Sequence, residues 1–119
     1  KVLLTMAPKG QTDIYEYNLK SKRLRKITFY PGIDVSGKFW KNDYVFISDR
    51  FGVPYLFEKR GSKVIKVMYH GKNQIGVDTY NNLLVVSTRE SDKSFGANTF
   101  NLFLLNKNDD SLRRLTFSG

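Results

Sequence analysis

Cysteine is absent from the 119 residues, which excludes disulfides, thiolate zinc sites and a cysteine nucleophile. Long apolar runs are absent too: stretches such as Leu83-Leu84-Val85-Val86 are far too short to cross a bilayer as a helix. Helix signals are scarce, since no segment keeps apolar residues at i, i+3, i+4 and i+7 over three turns. Histidine occurs once, so a nucleophilic triad would have to recruit His70, in a Gly-bearing loop just past a strand. No Gly-x-Ser-x-Gly elbow surrounds Ser36 or Ser48, and neither GxGxxG nor a P-loop pattern occurs. The acidic stretch Asn106–Ser111 lacks the spaced ligands and the Gly of a calcium loop. The residues therefore imply no metal, no cofactor and no catalytic triad within these 119 residues.

No signal peptide is visible and the chain begins Lys-Val-Leu-Leu, so an internal piece of a longer protein is expected. Positive charge is plentiful: 20 Lys+Arg against 11 Asp+Glu give a net charge of +9. Such a balance permits attraction to nucleic acid, anionic lipid or an acidic partner. The cations are spread along the chain as on a solvated surface, and the tightest group, Lys20 to Lys26, falls where a hairpin turn is expected. The seven Tyr and nine Phe follow strand alternation, which favours packing between sheets over base stacking, so no nucleic-acid partner is expected.

Short β-rich runs fill the chain, each bounded by Gly, Asn, Asp or Pro. They are Val2–Thr5, Ile14–Leu19, Leu24–Phe29, Tyr44–Ser48, Tyr55–Glu58, Val64–Tyr69, Leu83–Ser87, Phe100–Leu105 and Leu112–Phe117. They fall into three similar groups. "GQTDIYEYN" (Gly10–Asn18), "GVPYLFEKR" (Gly52–Arg60) and "NTFNLFLLN" (Asn98–Asn106) align without gaps, placing Tyr15, Phe57 and Phe103 at one position. "LLT", "FIS" and "VVS", ending at Thr5, Ser48 and Ser87, align before them, and a basic strand follows each. The aromatic anchors are 42 and then 46 residues apart, a period that signals the four-stranded antiparallel blade of a β-propeller. "IDVSGKFW" (Ile33–Trp40) and "QIGVDTY" (Gln74–Tyr80) supply the inner strands of the second and third blades. The expectation is an all-β, partial propeller domain over residues 1–119, with blades at 1–30 (lacking its inner strand), 31–71 and 72–119, about three of six. Blade faces left open invite self-association.

"LTFYPGIDVSGKFW" with "FISDRFGVPYLF" resembles the repeats of the TolB propeller family, periplasmic components of the Tol-Pal cell-envelope system. Ile27-Thr28, Pro31-Gly32-Ile33-Asp34-Val35-Ser36, Ser48-Asp49-Arg50, Gly52, Pro54 and Leu56-Phe57 carry the likeness, and "RRLTFSG" (Arg113–Gly119) matches the close of a blade. "KFWKND" departs from the family's turn after the inner strand, and the third blade has Thr88-Arg89 where the second has its Ser-Asp-Arg triplet. The resemblance implies a periplasmic, non-enzymatic scaffold that docks a Pal-like lipoprotein around one mouth of its channel, a surface colicins exploit. It implies a protein peripheral to the envelope at most. Peptidase propellers of the prolyl-oligopeptidase and tricorn kind have similar repeats, so a propeller gating a catalytic domain elsewhere stays open, as does a sugar-binding propeller.

In a propeller, the loops Phe29–Asp34, Asp49–Val53, Tyr69–Gln74 and Glu90–Asn98 emerge at one face. Candidate partner-binding residues there are Tyr30, Asp34, Arg50, Phe51, Tyr69, His70 and Phe95. Asp34 and Asp78 are read as equivalent and channel-facing, with Asp34 bonding the backbone of its own turn. Glu16 and Glu58 are read as equivalent positions on different blades. The Ser48-Asp49-Arg50 triplet is read as hairpin architecture, with Arg50 pairing Asp49 or an acid of the neighbouring blade and Arg89 as its repeat equivalent.

Overall fold

The computed structural model describes residues 1–8, 10–30, 32–67, 73–91 and 98–115, with residues 90, 91 and 98–100 described in backbone only. Eleven strands follow one another: β1 (Val2–Met6), β2 (Asp13–Tyr17), β3 (Leu24–Lys26), β4 (Asp34–Trp40), β5 (Asp43–Ser48), β6 (Tyr55–Arg60), β7 (Lys63–Lys66), β8 (Gln74–Tyr80), β9 (Leu83–Ser91), β10 (Asn98–Asn106) and β11 (Ser111–Arg114). They form three antiparallel meanders, β1-β2-β3, β4-β5-β6-β7 and β8-β9-β10-β11. The all-β propeller architecture expected from the repeat is what the chain adopts. Several strand bounds differ from expectation. The outermost strands β3 and β7 are shorter, and β9 runs on to Ser91, past Ser87 where the run was expected to end and into the start of the expected Glu90–Asn98 loop.

Period-two alternation explains why the sheets stack face to face. In the middle sheet Val45 and Ile47 point one way and Phe46 the other, yet all three are buried. The sheet therefore sits between two others. Phe46 and Phe57 stack 6.2 Å apart and pack with Ile14 and Ile27 of the first sheet's segment. On the opposite side Val45, Ile47, Leu56 and Trp40 pack on Leu84, Val86, Phe103 and Leu105 of the third sheet. Each such side chain contributes about 1.5–3 kcal/mol by leaving water. The third sheet's far face shows the same alternation unfilled, with Leu102 exposed between buried Asn101 and Phe103.

Backbone bonds stitch the sheets in series. Asp34 N donates to Thr12 O (3.0 Å), beside a parallel bridge between Thr12 and Ile33, and Gln74 N donates to Pro54 O (2.8 Å). The meanders put the turns β2–β3, β4–β5, β6–β7, β8–β9 and β10–β11 at one end. All five contain a left-handed residue, Lys22, Lys41, Gly61, Asn81 and Asp110, with φ between 54° and 58°. The "KFWKND" turn is thus a tight one, and Trp40 Nε1 crosses to donate to Asn82 O at 2.7 Å. The opposite end carries the longer loops.

The register corrects three repeat equivalences. Ser48 pairs Tyr55 as Thr88 pairs Asn101 and Met6 pairs Asp13, so Ser48 corresponds to Met6 and Thr88 rather than to Thr5 and Ser87. Asp49 N bonds Ile33 O as Arg89 N bonds Asn73 O, which makes Arg89 the counterpart of Asp49, not of Arg50. Asp34 pairs Ser48 as Gln74 pairs Thr88, so Gln74 is the equivalent of Asp34. Asp78 instead matches Lys38, and it is exposed where Asp34 is buried. Glu16 and Glu58 do correspond, and both are buried.

Candidate functional site

At the loop-bearing end, three carboxylates hold the chain from beneath. Asp13, at the start of β2, is buried; its Oδ1 accepts from Thr28 Oγ1 and from Tyr30 N, both at 3.2 Å. That fixes the segment leaving β3. Asp49, just past β5, accepts from Ile33 N through Oδ1 at 3.0 Å and returns a backbone bond from its own N to Ile33 O. That fixes the entry to β4. Gly32 between them is required by space: a Cβ there would lie 2.3 Å from Tyr30 Cε2 and 2.7 Å from Asp49 Oδ1.

The third carboxylate is Asp34, fully buried at 0% exposure. Its partner is Arg50, whose Nη2 lies 3.3 and 3.2 Å from the two carboxylate oxygens. Arg50 Nε donates to Ser48 Oγ at 2.9 Å. The guanidinium lies 4.8 Å from the Tyr30 ring centre, 5.3 Å from Phe46 and 5.2 Å from Phe57. A planar, weakly hydrated cation suits such a three-ring cage, where cation–π attraction is worth about 0.5–2 kcal/mol. Desolvation above all, and then the Asp49 carboxylate beside it, raise the Tyr30 phenol above its ordinary pKa, while Arg50 pulls it down.

These contacts revise the roles read from sequence. Arg50 pairs with Asp34 of its own sheet, not with Asp49 or a neighbouring blade, because the Asp34–Ser48 register brings the two side chains together. Among the described residues the Asp34 carboxylate meets Arg50 rather than its own turn; Asp49 supplies that backbone clamp instead. Arg50 retains 19% side-chain exposure beneath Tyr30, whereas Phe51 beyond it is 67% exposed, its ring centre 5.5 Å from that of Phe57 in an edge-on arrangement. Gly52, at φ 92°, lets the chain turn back after Phe51. Tyr30, Asp34, Arg50 and Phe51 are thus gathered on one end. Tyr69, His70 and Phe95 lie outside the described residues. The sequence reading missed Asp13, whose signal was a lone acid 15 residues before a Thr that itself opens a loop.

No protein-family model matches the chain. Curated proteins do. It is 44% identical over 124 aligned positions to the Tol-Pal system protein TolB of Helicobacter hepaticus, covering 99% of this chain and 30% of that protein. It is 41% identical to the TolB of Wolinella succinogenes and 43% identical to that of Campylobacter jejuni, in each case over 100% of this chain and 30% of the relative. The chain thus spans 30% of the length of the curated relatives it matches. Among solved structures, the crystal structure of TolB from Acinetobacter baumannii superposes with a TM-score of 0.76 at 19% identity, covering 96% of this chain and 29% of that one. The family resemblance read from the residues is borne out: along its whole length the chain is similar in sequence to part of TolB, and its fold is that of a TolB propeller segment.

Proposed function

We propose that the chain is a non-enzymatic interaction scaffold of the Tol-Pal system, acting in the periplasm, and that its loop-bearing end docks a Pal-like lipoprotein. One observation carries this reading: 41–44% identity across the whole chain to proteins that are Tol-Pal system components. The blades at 1–30, 31–71 and 72–119 would then form part of one propeller completed by the rest of the protein.

The geometry supports a binding role over a chemical one. Asp13, Asp34 and Asp49 are engaged in holding backbone and Arg50, and the groups left facing out are aromatic. A rigid aromatic surface above a clamped backbone is what protein–protein hot spots use, because little side-chain entropy is lost on docking. In this reading Tyr30 and Phe51 touch the partner, Asp34 and Arg50 hold the face in shape, and Tyr69, His70 and Phe95 extend it. Calorimetric titration of the full-length protein with its own Pal tests the assignment. Phe51→Ala and Tyr30→Ala should each weaken binding about tenfold or more. Unchanged affinity in Tyr30→Ala, Phe51→Ala and His70→Ala alike would remove this face from consideration.

A further inference from the structure

The hairpin turns that close β2–β3, β6–β7 and β10–β11 occupy equivalent places, and the fold asks one thing of each: a left-handed residue, met by Lys22, Gly61 and Asp110. What the fold leaves free differs sharply. The third turn carries Asp109 and Asp110 and caps itself, Ser111 N donating to Asp109 Oδ1 at 2.9 Å. The first reads Asn18-Leu19-Lys20-Ser21-Lys22-Arg23-Leu24-Arg25, with four cations, no acid and two leucines. Leu19 is 63% exposed and Leu24 49%.

This tip is rigid. Asn18 Oδ1 accepts from Lys20 N (2.9 Å) and Ser21 N (3.1 Å), Lys22 N donates to Asn18 O (2.7 Å), and Asn18 N donates to Arg23 O (2.9 Å). Further along β3, Arg25 faces Glu16 and Lys26 pairs with Asp13. Lys20, Lys22 and Arg23 form no ion pair among the described residues. Cations that only blunt an edge strand belong on the strand itself; here the strand cations are paired and the unpaired ones stand at the tip. Lys22 also holds a left-handed position that Gly or Asn would fill with less strain.

Unpaired cations around an exposed leucine on a pre-ordered loop match the chemistry of a bilayer interface, where phosphates meet the first methylenes. We propose that the β2–β3 hairpin docks the protein on an anionic phospholipid surface, with Lys20, Lys22 and Arg23 on headgroup phosphates and Leu19 in the interfacial layer. An acidic protein would answer the cations but gives Leu19 no role. The net charge of +9 adds a long-range attraction that salt screens.

Co-sedimentation of the full-length gene product with vesicles of phosphatidylethanolamine and phosphatidylglycerol, against vesicles with phosphatidylcholine in place of the glycerol lipid, tests this. Binding is expected on the anionic vesicles and should vanish in molar salt, where the screening length falls to about 3 Å. The triple variant K20E/K22E/R23E should lose on the order of a hundredfold in partition. Leu19→Ser, which leaves the charge unchanged, should lose several-fold. Equal binding to both vesicle types, or wild-type binding by the triple variant, overturns the proposal. Undiminished binding by Leu19→Ser also overturns it, leaving a purely electrostatic contact with headgroups in which the leucine has no part.

Discussion

Consecutive sheets place Asp34 beside Ser48 and Gln74 beside Thr88 at the same register. In the middle sheet the pair captures Arg50, whose Nε bonds Ser48 Oγ and whose Nη2 meets a carboxylate with no solvent exposure. In the third sheet the matching residues are an amide and a hydroxyl, Gln74 and Thr88. Gln74 Oε1 reaches back to accept from Leu56 N at 2.7 Å, tying one sheet to the next, and Thr88 Oγ1 is buried with no hydrogen-bond partner among the described residues. The backbone repeats while the chemistry at its loop-bearing end does not. The middle sheet uses that position to build a local cage; the third uses it to reach its neighbour. The position itself is architectural, and the side chains decide whether it serves a loop or an interface.

The largest test of the contrast is Arg50→Ala. It leaves Asp34 buried without its cation and should cost about 3–5 kcal/mol in urea unfolding. Adding Asp34→Asn should recover a good part of that loss, since the stranded charge is gone. Additive losses in the double variant would show that the cage is held by its rings rather than by the ion pair. Next is Gly32→Ala, whose Cβ must displace the Tyr30 ring; a loss of about 1–3 kcal/mol in urea unfolding is expected. The third test is paired. Ser48→Ala should cost about 1–2 kcal/mol by removing an acceptor from Arg50, whereas Thr88→Val at the matching position should be neutral or stabilising. Equal effects would erase the distinction between the two sheets. The smallest is Lys41→Gly in the β4–β5 turn, which relieves a left-handed non-glycine at φ 56° and should raise thermal stability by up to about 1 kcal/mol.

The eleven strands and their grouping were legible because turn residues recur at a near-constant period and apolar residues alternate between them. The one-residue error at Ser48 came from matching letters rather than faces. "FIS" and "VVS" look alike, yet Ser48 shares a face with Phe46, while Ser87 stands opposite to Val86. A slip of one residue reverses every side chain, and only pairing partners expose it. The Asp34–Arg50 pair was hidden for a related reason: a bulge between Val35 and Lys38, with Ser36 at φ 57°, resets the register of β4. The Lys107 amine shows the same limit. It lies in a turn far along the chain but donates to Glu58, Asp43 and the Trp40 carbonyl, contacts that no local pattern announces. Phe51 and Tyr30, by contrast, could be placed at the loop-bearing end from sequence, because aromatic residues in Gly-bounded loops are conspicuous without any partner.

Beside the apolar packing, each joint between sheets uses backbone amide and carbonyl groups, at Thr12, Asp34, Pro54 and Gln74. Those backbone bonds do not read side-chain identity. A copied unit of forty-odd residues brings the same backbone groups and the same apolar faces to its neighbour, free to exchange an ionic cage for an amide tether at its loop-bearing end. Heredity can therefore lengthen or retune a chain of this kind by duplication, with each new member assembled before it has acquired a purpose.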